Sequence, residues 1–314
     1  MKMEYPRKFQ IGFQEGTCPL KCKKCLAFGT GVGREKEVMK MPIDKAERLI
    51  DEIAGFGNQA VIQPHIFTEP FANLDLKRII RYCGKRKLAM SIITNGVLLN
   101  DDWIDFLLSQ TEQSITVSFS LDALTQNTYE KVRGNYELLS IEKKINYLLG
   151  NRQKQNLRIG VNFTVEEDNK AEKDDFLEKW KFQADAVRIH QLIDRNMKMM
   201  STFPKEEDRE CESLNETMVI DAGGEVRACS LDAFGDSYIG NVFEKGILNI
   251  WNGDKMESLR ESISHNTLSE NEFCYRCGVR GYAGKYICRE TEDFYMVDNG
   301  YDFFYNHKWV NGER

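Results

Sequence analysis

This sequence reads as an α/β protein built on a mainly parallel sheet, followed by a smaller region of different character. Three observations carry that reading. Six β-type stretches alternate with helical ones over residues 8–192, at about thirty residues per unit, the pattern of right-handed βαβ crossovers. Residues 197–209 are then polar and Met-rich, contain Pro204, and read as a linker. Seven of the nine cysteines fall into two sets, one on each side of that linker. The alternation alone does not separate an open sheet from a barrel or partial barrel.

The elements follow in order. Residues 8–15, Lys-Phe-Gln-Ile-Gly-Phe-Gln-Glu, alternate as a strand that Gly16 ends. Ile43, Ala46, Leu49, Ile50 and Ile53 recur at helical spacing behind Pro42, and Gly55 and Gly57 stop that helix. Residues 60–62 begin a second strand that runs into His65-Ile66-Phe67-Thr68-Glu69-Pro70. A helix over 73–86 has the stripe Leu74, Leu76, Ile79, Ile80 and Cys83. A third strand, 88–94, closes on the turn pair Asn95-Gly96. A short helix over 101–108 starts with Asp101 as its expected cap. Residues 114–121 form the fourth strand, and 125–149 one or two helices interrupted near Gly134. Residues 157–165, 171–182 and 186–192 complete the series as strand, helix and strand. On the last strand Arg188 and His190 share a face, toward a substrate if that face is the inner one. Beyond the linker, 218–229 read as a hairpin turning at Ala222-Gly223-Gly224. Residues 246–265 include a helix with Ile250, Trp251, Met256, Leu259 and Ile263. The tail is aromatic, with Tyr295, Phe303, Phe304 and Trp309, and is expected to pack back on the body.

Composition narrows the classes. At 314 residues the chain suits one large domain or two modest ones. A net charge of −6 argues against a general nucleic-acid binder. No apolar run is long enough for a membrane span, and residues 1–7 lack an apolar signal core, so a cytoplasmic protein is expected. In an unexported protein, clustered cysteines read as metal ligands rather than disulfides. Gly29, Gly31 and Gly33 have no Lys-Ser/Thr after them and read as a connector, not a phosphate loop.

Cys18, Cys22 and Cys25 lie on a loop at the C-terminal end of the first strand, where α/β sheets place chemistry. Thiolates suit zinc or iron–sulfur clusters. A structural zinc site is usually closed by four ligands, and this loop supplies three. Three thiolates on a four-iron cube would leave one iron open. The plainer alternative is a zinc knuckle completed from afar. The C-x3-C-x2-C pattern after a first strand resembles that of the radical S-adenosylmethionine (SAM) enzymes. The resemblance implies a partial (β/α)6 TIM-like barrel over residues 1–195 and a [4Fe-4S] cluster held by Cys18, Cys22 and Cys25. It also implies that SAM chelates the fourth iron and is cleaved to a 5′-deoxyadenosyl radical, fed by an electron donor such as flavodoxin or ferredoxin. The family usually has an aromatic residue before the third cysteine; here it is Lys24. Phe67-Thr68-Glu69-Pro70 resembles the family's Gly-Gly-Glu-Pro, which implies that Thr68, Glu69 and Pro70 meet the SAM amino group. Asn95 falls at a turn that in the family lies beside the cofactor. Ser120 and Arg133 resemble the residues that bind the SAM carboxylate and ribose region, Arg133 with its bidentate fork. Asp122 is expected only to stabilise that loop.

Cys211, Cys229, Cys274 and Cys277, with Gly224 between the first two, resemble the auxiliary-cluster extension called Twitch, a shortened SPASM domain. The resemblance implies a small C-terminal auxiliary iron–sulfur domain over 196–290, one further [4Fe-4S] cluster with four protein ligands, and a C-terminal tail over 291–314. Zinc is again the plainer alternative. The layout is similar to that of the inosamine dehydrogenase of butirosin biosynthesis. A fully ligated auxiliary cluster implies electron relay rather than substrate chelation. The expected function is oxidation of a secondary alcohol of a sugar, aminosugar or cyclitol, with the auxiliary cluster as electron acceptor. The first cysteine loop begins at residue 18, which weighs toward a small-molecule substrate over a peptide led in by an N-terminal domain. Two alternatives within the family remain. One is a peptide-modifying enzyme. The other is an epimerase with Cys288 as hydrogen donor, because Cys83 sits on an apolar helix stripe and reads as structural. A zinc-stabilised non-enzymatic α/β protein is the alternative from another class.

Overall fold

A computed structural model describes residues 4–29, 37–57, 59–153, 156–193, 211–269, 273–277, 287–290, 294–298 and 302–307. The first part runs β1 (Lys8–Ile11), β2 (Gln14–Glu15), β3 (Met39–Lys40), α1 (Ile43–Ala54), β4 (Val61–Gln63), α2 (Leu76–Lys85), β5 (Ala89–Thr94) and α3 (Asp101–Leu108). It continues with β6 (Ile115–Ser120), α4 (Gln126–Val132), α5 (Leu138–Asn151), β7 (Leu157–Val165), α6 (Lys173–Trp180) and β8 (Ala186–Gln191). The second part holds α7 (Glu212–Glu216), β9 (Thr217–Ile220), β10 (Glu225–Arg227), β11 (Tyr238–Asn241), α8 (Val242–Lys245), α9 (Ile247–Trp251) and α10 (Asp254–Ser264). Three strands end the chain: β12 (Ile287–Glu290), β13 (Phe294–Asp298) and β14 (Asp302–His307).

One sheet joins nearly all of this, in the order β11-β10-β9-β1-β4-β5-β6-β7-β8-β14-β13-β12. Strands β1 and β4 to β8 are parallel neighbours, the partial TIM-like barrel. The hairpin β9–β10 joins through β9, parallel to β1, and β14 joins antiparallel to β8. The sheet therefore runs on past both positions, 195/196 and 290/291, where the resemblance implies boundaries.

Strand alternation decides what faces what. Phe9, Ile11, Ile62, Ile92, Val117 and Phe119 are fully buried against the helices. Most of their alternates face inward and are polar, Val61 and Ile93 being apolar exceptions: Gln10 donates to Gln63 across β1 and β4 at 2.6 Å, and Thr164 meets His190 across β7 and β8 at 3.0 Å. Helix α1 buries Ala46, Leu49, Ile50 and Ile53, as their spacing requires. Two expected details differ. Helix α2 starts at Leu76, so Leu74 lies outside it and is 87% exposed. The Asn73 side chain there accepts from the Asp75 N–H at 3.0 Å, turning the chain before the helix begins. Helix α3 is capped by Asn100, whose Oδ1 accepts from the Trp103 N–H at 3.0 Å. That leaves Asp101 and Asp102 in the first turn, where their charge favours the dipole. The break between α4 and α5 falls at Gly134, at φ +115°. Among the described residues no helix is long and apolar enough to cross a membrane.

Candidate active site

The first cysteine loop is stitched to the end of β4 by backbone. Gly16, at φ +81°, donates its N–H to the Phe67 carbonyl at 3.2 Å. Thr17 O accepts from the Glu69 N–H at 2.7 Å and the Thr68 hydroxyl at 2.8 Å. Each of the three sulfurs then meets an N–H donor: Asn95 Nδ2 at 3.6 Å from Cys18, Arg133 at 3.9 Å from Cys22, and the Phe28 backbone at 3.3 Å from Cys25. Donors converging on thiols in this way suit thiolates, the form that ligates iron. Burial pushes the unligated Cys18 thiol up to about 12, against the Leu20 N–H, and the charges of Glu69, Cys22 and Cys25 add to it. A bound cationic cluster is the natural compensation for such a site. Among the described residues no three His, Cys, Asp or Glu side chains gather around a single metal ion.

Glu69 is 2% exposed. It accepts from the Thr94 hydroxyl at 2.5 Å, the Asn95 N–H at 2.9 Å and the Phe71 N–H at 3.4 Å. Burial nonetheless pushes its carboxyl up to about 7. Pro70 is buried at the start of a 3-10 turn, and Thr68 is half-buried beside it. Asn95 thus touches both Glu69 and Cys18. Gly96 follows at φ +76°, where a side chain would run into Ile141. Thr68, Glu69, Pro70 and Asn95 form one constellation with Cys18.

Ser120 ends β6 on the inner face, and Arg133 caps α4. The carboxylate on the Arg133 fork is Asp122, fully buried at φ +57°. Asp122 also takes the Lys24 ammonium at 2.5 Å and the Thr164 N–H at 2.6 Å. Burial would push its carboxyl up, but Arg133 and Lys24 outweigh that and hold it well below the usual carboxylate range. Lys24 reaches Glu166 as well, at 3.0 Å. Asp122 is therefore the hub of a buried ion cluster rather than only a loop stabiliser. Lys24 and Glu166 are residues that sequence reasoning missed. The sole signal was a lysine where an aromatic is usual; its partners lie about a hundred residues away. Arg188 and His190 share the inner face of β8. Burial first, then the charge of Arg188, pushes the His190 imidazole down to about 3, so it is neutral at physiological pH. His65 is a half-buried acceptor for the Ile93 N–H at 2.9 Å.

The second set also assembles. Cys229 lies within electrostatic range of Cys211 and Cys277, and burial pushes its thiol up to about 12. The Cys277 N–H donates to the Cys274 carbonyl at 3.3 Å, which closes the turn that carries both residues. Cys229 Sγ accepts from the Leu231 N–H at 3.4 Å. Cys211 and Cys277, 66 residues apart in sequence (211 to 277), thus both lie within electrostatic range of Cys229, with Cys274 three residues before Cys277; thiols are the donor type that iron–sulfur clusters take. Cys83 is fully buried on α2, and burial raises its thiol to about 12, in keeping with a structural role. Cys288 lies opposite Val297 in the β12–β13 pairing, and its side chain falls outside the described residues.

Comparison with known proteins bears on the family and the fold. The radical SAM superfamily profile matches residues 16–174, and the SPASM iron–sulfur cluster-binding domain matches 211–278. The antilisterial bacteriocin subtilosin biosynthesis protein AlbA of Bacillus subtilis (strain 168) is 25% identical over 90% of this chain and 67% of its own length. Two further curated relatives are matched over only 32% and 26% of their lengths. The structure of BtrN in complex with AdoMet and 2-DOIA superposes with a TM-score of 0.55 at 17% identity, covering 88% of this chain and 93% of BtrN. Streptococcus suis SuiB bound to precursor peptide SuiA gives 0.63 at 16% identity, over 88% and 71%. These structures speak to the fold, and BtrN matches the layout expected from the sequence. The first thiol set lies inside one matched region and the second inside the other, and the first region alone spans half of the residues. The chain belongs to the radical SAM superfamily and carries a SPASM-type iron–sulfur cluster-binding domain.

Proposed function

We propose that this radical SAM enzyme oxidises a secondary alcohol of a sugar, aminosugar or cyclitol to a ketone. Its cofactors are those of the family: SAM, a [4Fe-4S] cluster and auxiliary iron–sulfur ligation. When bound, they supply a 5′-deoxyadenosyl radical to take a hydrogen atom and an acceptor for one electron. Removing the carbinol hydrogen, the hydroxyl proton and that electron leaves the carbonyl. Cys18, Cys22 and Cys25 would hold the first cluster, and Cys211, Cys229, Cys274 and Cys277 the second. Thr68, Glu69, Pro70 and Asn95 would orient the SAM ammonium, and Ser120 and Arg133 its carboxylate and ribose region. An electron donor such as flavodoxin or ferredoxin would feed the first cluster.

The observation that carries the substrate class is the polar inner face of the barrel. Asn162, Thr164, Arg188 and His190 meet there at the C-terminal ends of β7 and β8, where a hydroxylated ring would find hydrogen-bond partners. Strand β14 already occupies the edge of β8, so an extended peptide cannot dock there by strand addition. Anaerobic incubation with SAM, a reductant and a panel of aminocyclitols and sugars tests this. The expected result is 5′-deoxyadenosine and ketone in equal amounts.

The likeness over 90% of the chain to AlbA, a bacteriocin biosynthesis protein, favours a second reading, modification of a peptide, which a peptide panel in the same assay would reveal. The epimerase reading requires Cys288 to deliver a hydrogen. In heavy water it predicts deuterium in an inverted product, and loss of turnover in Cys288→Ala. Membership of the family sets aside the zinc-stabilised non-enzymatic alternative.

A further inference from the structure

We propose that Arg227 is a positioning residue shared by the two cluster sites, fixing the first cysteine loop and the auxiliary loop against each other. This rests on the family assignment and not on the identity of the substrate. Arg227 ends β10, two residues before Cys229, and its side chain is 5% exposed. It bonds Asp221 at 2.9 Å and reaches Glu15 at 3.7 Å. Glu15 is fully buried and stands three residues before Cys18. One guanidinium therefore spans from the base of one cluster loop to the base of the other.

The same group builds the auxiliary loop. It donates to the carbonyls of Asp232 at 3.1 Å and Ala233 at 3.4 Å. The Asp232 carboxylate in turn accepts the backbone N–H groups of Phe234, Gly235, Asp236 and Ser237, and the Ser237 hydroxyl. Residues 229–237 are thus wound around the Arg227 fork. On the other side, the Glu15 carboxylate folds back over Gly12, where any Cβ would collide with it. The Gly12 N–H bonds Ile220 O at 2.8 Å, next to Asp221, so the two strand ends lie in register beside the ion set. In a buried, low-dielectric setting a planar fork with fixed partners on both sides resists displacement. It would thereby fix the separation of the two cluster sites.

The test uses the full-length, anaerobically reconstituted protein with two variants. Arg227→Met removes the fork. Iron should fall from about eight to about four per chain, the loss of one cube, while the paramagnetic resonance signal of the reduced first cluster still changes on adding SAM. Gly12→Ala leaves Arg227 in place but forces the Glu15 side chain aside from its γ-carbon outward. Iron should stay near eight, as in the wild type, but the microwave power that half-saturates the first cluster's signal should shift at least about twofold. An Arg227→Met protein with full iron and wild-type spectra would overturn the proposal. So would an unshifted half-saturation power in Gly12→Ala, which also decides the matter alone if Arg227→Met does not fold. Neither readout depends on turnover, so failure here is distinguishable from a wrong substrate class.

Discussion

Glu69→Gln offers a quantitative handle on the SAM constellation. Burial raises the Glu69 carboxyl from 4.5 to about 7 in the folded chain, despite three hydrogen bonds and the charge of Arg133. Between those values the unfolded chain has released this proton and the folded chain has not. Stability contributed by Glu69 therefore falls as pH rises through that window, by about 1.4 kcal/mol per unit and ~3 kcal/mol in all. At roughly 2–4 °C per kcal/mol for a chain of this order, the melting midpoint should drop by roughly 6–12 °C across the window. Glu69→Gln has no such proton to lose. Scanning fluorimetry of SAM-free protein from pH 5 to 8 should show the wild-type midpoint falling relative to the variant's. Parallel curves would refute the burial argument. A bound ammonium would stabilise the ionised carboxylate, so SAM affinity should rise with pH through about 7 in the wild type, as the raised carboxyl ionises.

Three further outcomes follow from the same geometry. Cys22→Ala should abolish 5′-deoxyadenosine formation yet retain about four irons per chain at the second set, measured by product chromatography and iron analysis. Cys229→Ala should lose about four irons and substrate turnover while SAM cleavage survives; full iron content would sink the second-cluster assignment. Lys24→Met keeps the stem but removes one of two cations from the buried Asp122, which should cost about 3 kcal/mol, the low end of the range for breaking buried pairs because Arg133 remains. That cost should shrink on acidification, as Asp122 protonates more readily in the folded variant, which lacks the Lys24 charge, than in the wild type, and a pH-independent loss would contradict it.

How much of this was legible beforehand follows from the range of the interactions. The six βα units, the two thiol sets and the Thr68-Glu69-Pro70 and Asn95-Gly96 turns are local in sequence, and spacing and turn chemistry reveal them. The approach of Cys211 and the late Cys277 to Cys229 could be inferred only through resemblance. Ion sets such as Lys24–Asp122–Glu166 and Glu15–Arg227–Asp221 are assembled from strand ends far apart along the chain, and no periodicity marks them. The aromatic tail showed that it would pack, but not that β14 would pair with β8, because strand pairing partners are not written in either strand alone. Leu74 shows the limit within one helix: its spacing fits the stripe, yet the Asn73 turn puts it outside.

The most direct test of the central claim is the fate of one hydrogen atom. Reconstituted protein would be given SAM, a reductant and an aminocyclitol carrying deuterium at the carbinol carbon. The account predicts deuterium in 5′-deoxyadenosine and an equal amount of ketone, both lost in Cys18→Ala. Deuterium that stays on the substrate carbon, or 5′-deoxyadenosine formed without ketone across the sugar and cyclitol panel, would contradict it.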